Sequence, residues 1–331
     1  MVMNNLRLTL ATKDYDHTRD IAYGTVPIEG VDPIWLHLPV EEIFHRFFVN
    51  ADFDVSEVSM AKYCSAIAEG DPTITAIPVF PTRVFRHSSF WVRSDSALKT
   101  PADLAGCRIG VPEWAQTAGI YMRGLMVHDY GVDLNGIEWF QGGVNEAGRR
   151  EHAVLSLPAG LTITGVPERA LNDMLVAGEL DAVLSARPPL ASHAGDGRVR
   201  RLFDDSAAEE KSYFERTGIL PIMHTIAIKT ALVDQFPWLP MNLYKAFTTA
   251  KDNSLARMLD GATPRVPLPW IRYDTERAFR EFNGDPWPYG IEPNRTTLTA
   301  FLQYAYEQGV CSRLLAPEDL FSKQVDEGFR I

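Results

Sequence analysis

The chain has no apolar run long enough to cross a bilayer, which takes about 18–20 consecutive apolar residues. Its start, Met1-Val-Met-Asn-Asn-Leu-Arg7, lacks the basic and apolar regions of a secretory signal. A cytoplasmic protein with no membrane partner is therefore expected. Cysteine is scarce: Cys64, Cys107 and Cys311 are odd in number and show no CxxC spacing, so they read as reduced thiols. There is no GxGxxG after a strand, no P-loop, no HExxH and no nucleophile elbow. Those absences remove the sequence support for nucleotide cofactors, zinc-protease chemistry and hydrolase triads. The histidines at 17, 37, 45, 87, 128, 152, 193 and 224 show no metal-ligand spacing. No metal and no cofactor is expected, although convergence of His17, His87 and nearby acids in space would leave room for a divalent ion. Positive charge is also in short supply. The net charge of -11 argues against a nucleic-acid partner, which wants a basic face.

What is present is an ordinary globular composition. Hydrophobic content of 46% over 331 residues is ample for a core and allows two domains or one large one. Strand and helix patterns alternate, which makes the class α/β. Leu6, Leu8 and Leu10 alternate with polar residues as in a strand. Residues 34–38, 53–58, 73–79 and 89–93 read as further strands. Val40, Ile43, Phe44, Phe47 and Phe48 fall on one face of an amphipathic helix. A second unit opens near Lys99, with strands at 108–111, 137–140 and 181–185 and helices over 117–130 and 166–175. Residues 223–229 read as a returning strand after a polar stretch at 204–216. Helices over 239–258, 273–282 and 296–308 follow.

Four strand-exit loops collect cations and proton carriers. Asp14-Tyr-Asp-His-Thr-Arg19 follows the first strand, and Ser59-Met-Ala-Lys-Tyr63 the third. Arg83, Arg86 and His87 follow the fourth, and Pro112-Glu-Trp-Ala-Gln-Thr-Ala118 leads into a helix. Ligands of open α/β sheets bind outside the carboxyl ends of the strands. Arginine grips a carboxylate bidentately, and the first amides of a helix receive an anion. Together these loops point to a pocket for a small anion. Each signal has a plainer reading beside it: Arg83 and Arg86 on a surface loop that answers nearby acids, Thr117 as an N-cap, His224 as a structural residue of the returning strand.

Several segments resemble a known family. Lys99 to Val111 is similar to the opening of the second lobe of the type II periplasmic-binding-protein fold, and Gly178-Glu-Leu-Asp-Ala-Val183 to its cleft-facing strand. Residues 10–18, 77–88, 110–118 and 285–290 resemble the 4,5-dihydroxyphthalate decarboxylase family, and these pieces span almost the whole chain. The resemblance implies two α/β lobes with the ligand cleft between them: residues 1–93 and 218–331 form a discontinuous first lobe, and 94–217 an inserted second one. It implies a homo-oligomer and a small aromatic carboxylate as substrate. It also implies loss of one carboxylate from 4,5-dihydroxyphthalate to give protocatechuate, best begun by protonating the ipso carbon.

On that footing Arg83 and Arg86 would hold the retained carboxylate, helped by Lys62 and the amides near Thr117. His17 and His87 would transfer protons, because unperturbed histidine titrates near neutrality. Glu113 or Asp14 would orient a histidine or act as the acid. Arg187 would enter the cleft from the second lobe, with His224 a lesser candidate near the hinge. Two other readings stand beside this one: a non-catalytic solute-binding protein for an aromatic acid, and a related enzyme of the same fold acting on another acid.

Overall fold

The computed structural model describes residues 5–325 apart from 152 and 194, so His152 lies outside the described residues. Eleven strands form two sheets among them. The first is built from β1 (Leu6–Thr12), β2 (Val31–His37), β3 (Val55–Ser59), β4 (Ile74–Ile77) and β11 (His224–Lys229). Its order is β2-β1-β3-β11-β4. β1, β2 and β3 run parallel, and β11 returns antiparallel between β3 and β4. The second sheet holds β5 (Phe90–Arg93), β6 (Arg108–Val111), β7 (Glu138–Gln141), β8 (Ile163–Gly165), β9 (Ala182–Leu184) and β10 (Val199–Arg201), in the order β10-β5-β9-β6-β7-β8.

The chain crosses between the sheets twice, after β4 and after β10. The first crossing comes earlier than expected. β5 pairs with β9 and β10, so Phe90–Arg93 belongs to the second sheet. β8 and β10 carry too little alternation to be read as strands; each has three residues and gains its partners only in the fold. The polar stretch at 204–216 is largely a helix, Ser206–Thr217. It starts where the Asp205 carboxylate accepts bonds from the amides of Ala207 and Ala208.

Four helices matter for the site: α1 (Asp16–Ala22), α2 (Val40–Asn50), α3 (Met60–Ala68) and α4 (Thr117–His128). Each of α1, α2, α3 and α4 follows a strand of a parallel set, β1, β2, β3 and after a short loop β6, so their N-termini gather on the carboxyl-end side. The apolar stripe of α2 is divided. Ile43 and Phe47 are buried, whereas Phe44 and Phe48 are only partly covered and face a cavity. That leftover apolar surface is what a ligand wall requires. No helix among the described residues is long and apolar enough to cross a membrane. All three cysteines are free thiols.

Candidate active site

A cavity of about 710 Å³ opens between the sheets, within the usual range for small-ligand sites. Its walls come from the carboxyl-end loops of both. Ser59 ends β3 and Lys62 lies one turn into α3; Glu113, Gln116 and Thr117 follow β6; Ala186 and Arg187 follow β9. Arg149 and Ala153 come from the segment after β7, and Val40, Phe44 and Phe48 of α2 form an apolar side. Arg86, Met223 and His224 complete the lining at the two crossings.

The sequence expectations divide here. Lys62, Arg86, Glu113, Thr117, Arg187 and His224 meet in this one cavity. Asp14, His17, Arg83 and His87 do not line it. Asp14 is exposed on the loop after β1. His17 packs behind the sheet, stacked on Tyr15 at 5.1 Å with Nε2 3.0 Å from the Pro81 carbonyl; burial pushes its pKa down to about 4. His87 lies against Phe203 and Tyr213, and burial with the nearby Arg216 charge pushes it down to about 4 as well. Both rings are neutral at pH 7, and neither lines the cavity.

Arg83 is buried beneath the loop Gly284–Gly290, where its Nη2 donates to the Pro288 carbonyl and the Asn294 side chain. A guanidinium follows β4 in both cases, but Arg83 is buried in the core and Arg86 lines the cleft. Arg83→Met is expected to lower folding stability by about 1.5–3 kcal/mol, the worth of hydrogen bonds to a charged group, measured by denaturant unfolding. KM of the folded protein stays within threefold of wild type; a large rise in KM at unchanged stability would return Arg83 to the ligand.

Charge in the cavity is unbalanced. Glu113 is buried and bridges two cations: Arg149 through Nη2 at 2.7 Å and Nε at 2.8 Å, and Lys62 at 3.7 Å. Arg187 reaches across the cleft to Glu41, with Nε at 3.1 Å. Burial opposes ionisation of Glu41, but the Arg187 bond and charge outweigh it and hold its pKa below the usual range. Arg86 is different. Its Nε meets only the Met223 sulfur, at 3.3 Å, and no carboxylate lies within ion-pair distance among the described residues. Burial pushes its pKa down to about 10, with the Glu210 charge acting the other way, which still leaves it cationic at neutrality. Four cations and two carboxylates thus line the cavity before its histidines are considered. The lining thus carries an excess of positive charge in a protein whose net charge is -11.

His45 also lines the cavity, but His224 is the histidine tied to a buried acid. Its Nδ1 lies 2.6 Å from Oε1 of Glu57, and Phe44 stands edge-on to the ring at 5.0 Å. Glu57 is fully buried in β3 and was not expected as a site residue. Its signal was present: it is the one charged residue within β3, a strand that is buried at every position. Arg149 was missed for a different reason, since it lies in a segment without periodicity and reaches the site only through the fold. Thr117 ties the two halves of the cleft: its hydroxyl accepts from the Ala61 amide at 3.0 Å and meets the Ser59 hydroxyl at 3.1 Å. Among the described residues no three His, Cys, Asp or Glu side chains converge in a metal-binding arrangement.

Two α/β lobes with a cationic cleft at the carboxyl ends of their strands define a protein of the type II periplasmic-binding-protein-like fold. Solved structures agree at the level of fold. The periplasmic aliphatic sulphonate binding protein SsuA of Escherichia coli matches with a TM-score of 0.55 over 99% of this chain and 95% of its own, at 13% identity. A sulfonate-binding SsuA from Methylobacillus flagellatus matches with 0.52 over 96% and 92%, at 12% identity. Sequence narrows the class. The 4,5-dihydroxyphthalate decarboxylase of Comamonas testosteroni is 39% identical over 330 residues, covering 99% of this chain and 100% of its own. That of Pseudomonas putida is 40% identical over 215 residues, covering 65% of this chain and 83% of its own. The chain belongs to the 4,5-dihydroxyphthalate decarboxylase family. No family model matches it.

Proposed function

We propose that this protein is a carboxy-lyase that converts 4,5-dihydroxyphthalate to protocatechuate and CO₂. The observation that carries the reading is the meeting, in one cavity, of a half-buried guanidinium without a carboxylate partner, Arg86, and an imidazole held by a buried carboxylate, His224. The relatives' activity supplies the substrate class. An excess of two positive charges in the lining suits a dianion.

In this reading Arg86 and the first amides of α4 hold the retained carboxylate. The apolar side formed by Phe44 and Phe48 receives the ring. Each carboxylate of the substrate has a hydroxyl para to it, and electron density from that oxygen makes the ipso carbon basic. Protonated His224 delivers a proton from Nε2 to that carbon. The C–C bond to the leaving carboxylate then breaks, its electron pair restores the aromatic ring, and CO₂ departs. His224 is left neutral and regains a proton from solvent, so one proton is consumed per turnover. Glu41 and Glu113 are the lining carboxylates available to accept hydrogen bonds from the ring hydroxyls.

The test is to mix chelator-treated protein with 4,5-dihydroxyphthalate and to follow CO₂ and protocatechuate. Turnover is the expected result. Tight binding without product favours a solute-binding role, and absence of binding removes this substrate. Turnover restored only by a divalent ion keeps the reaction and changes its mechanism. A homo-oligomer in a cytoplasmic setting belongs to the same reading and is checked by light scattering and cell fractionation.

A further inference from the structure

We infer that Glu57 is a positioning residue: it fixes the tautomer and the aim of the His224 ring so that Nε2 faces the substrate. The sheet register places the two side chains together. His224 pairs with Ser59 and Ile226 with Glu57 across the β3–β11 ladder, so Glu57 and His224 are diagonal neighbours on one face. Oε1 of Glu57 lies 2.6 Å from Nδ1 of the ring. A carboxylate there selects the neutral tautomer with the proton on Nδ1, which leaves Nε2 as the nitrogen for the cavity.

Glu57 is itself tightly held. Its Oε2 accepts from the Lys13 amide at 2.9 Å, and its Oε1 accepts from the Tyr15 hydroxyl at 2.7 Å and the Thr82 hydroxyl at 3.3 Å. Burial disfavours its charge, but the His224 bond and charge and these donors outweigh that effect, so its pKa is lowered. The Tyr15 phenol goes the opposite way: burial and the Glu57 charge push its pKa up, which keeps it a donor. A buried acid needing only satisfaction has donors enough without an imidazole. The ring it also engages belongs to a residue that lines the cavity, and Phe44 packs edge-on against it. With Nδ1–H kept on Glu57, the second proton of the imidazolium sits on Nε2, and the ring is held in one orientation before substrate arrives. It gives a role to the Tyr15 of the first strand-exit loop, a segment whose histidine, His17, does not reach the cavity.

The kinetic arm of this inference rests on the decarboxylase reading; the spectroscopic arm does not. Nitrogen-15 NMR of the wild-type protein, with the His224 signal assigned by its loss in His224→Gln, is expected to show the Nδ1–H tautomer. Glu57→Gln is expected to mix the tautomers and to lower kcat on the order of 10²–10⁴-fold, as loss of the orienting acid does in a catalytic triad, with KM within about threefold. Tyr15→Phe removes one donor to the carboxylate and is expected to lower kcat by about tenfold or less, with KM unchanged. An Nε2–H tautomer in the wild type overturns the inference whether or not Glu57→Gln folds. So does a folded Glu57→Gln protein with wild-type kcat. If the wild type forms no protocatechuate, the decarboxylase reading fails, and the tautomer alone decides the role of Glu57.

Discussion

His224→Gln is expected to lower kcat by about 10²–10⁴-fold while leaving KM within threefold, the usual worth of one general acid or base. Glutamine preserves much of the shape and a hydrogen bond toward Glu57, but it has no proton to give at neutral pH. Retained KM is the informative half of the result, because a donor that acts on the ring carbon in the transition state, the role proposed for His224, contributes little to holding the ground state. The substitution exposes no new core surface, since the ring is partly open to the cavity. Stopped-flow measurement of protocatechuate, with melting temperature as a control for folding, reads the effect. A folded variant with wild-type kcat would remove His224 from the chemistry and move the search for a donor to the other groups of the lining.

Arg86→Ala is expected to do the reverse, with its main effect on KM. A hydrogen bond to a charged group is worth about 1.5–3 kcal/mol, or roughly 10–150-fold in kcat/KM. Arg86→Lys keeps the charge but loses the planar fork, so it is expected to fall between alanine and wild type. The reason for singling out Arg86 is its lack of a partner. Arg149, Lys62 and Arg187 already answer Glu113 or Glu41, whereas Arg86 has only the Met223 sulfur against its Nε. Even a half-buried cation such as Arg86 costs folding free energy when no counter-charge answers it and nothing binds it. Arg86→Ala is therefore expected to leave the unliganded protein at least as stable as wild type. Phthalate, which keeps both carboxylates and lacks the hydroxyls, is expected to stabilise the wild type more than the variant in thermal melts. Unchanged KM and equal stabilisation by phthalate would take the clamp away from Arg86.

How much was legible in the sequence depended on the range of the interaction that fixes each feature. Periodicity gave away β1 and α2, because a strand or helix writes its own spacing into a few neighbouring residues. The helix Ser206–Thr217 was hidden by the opposite circumstance: a mostly polar segment has little apolar stripe, and its Asp205 cap was the remaining local sign. Residues of three of the four strand-exit loops that were singled out do line the cavity. Which member of each loop faces the ligand was not readable there, as Arg83 and Arg86 demonstrate three residues apart.

The sequence by itself determined the class of fold, the scarcity of thiols and basic charge, the amphipathic wall of α2 and the set of loops that collect cations. These follow from composition and short-range spacing, which survive without knowledge of packing. Tertiary structure alone decided that His17 and His87 do not line the cleft, that Arg149 reaches it from an irregular segment, and that Glu57 meets His224. The last pairing joins residues 57 and 224 through the antiparallel register of β3 with β11. A contact made across a ladder between strands so far apart in the chain leaves no periodic trace in either strand.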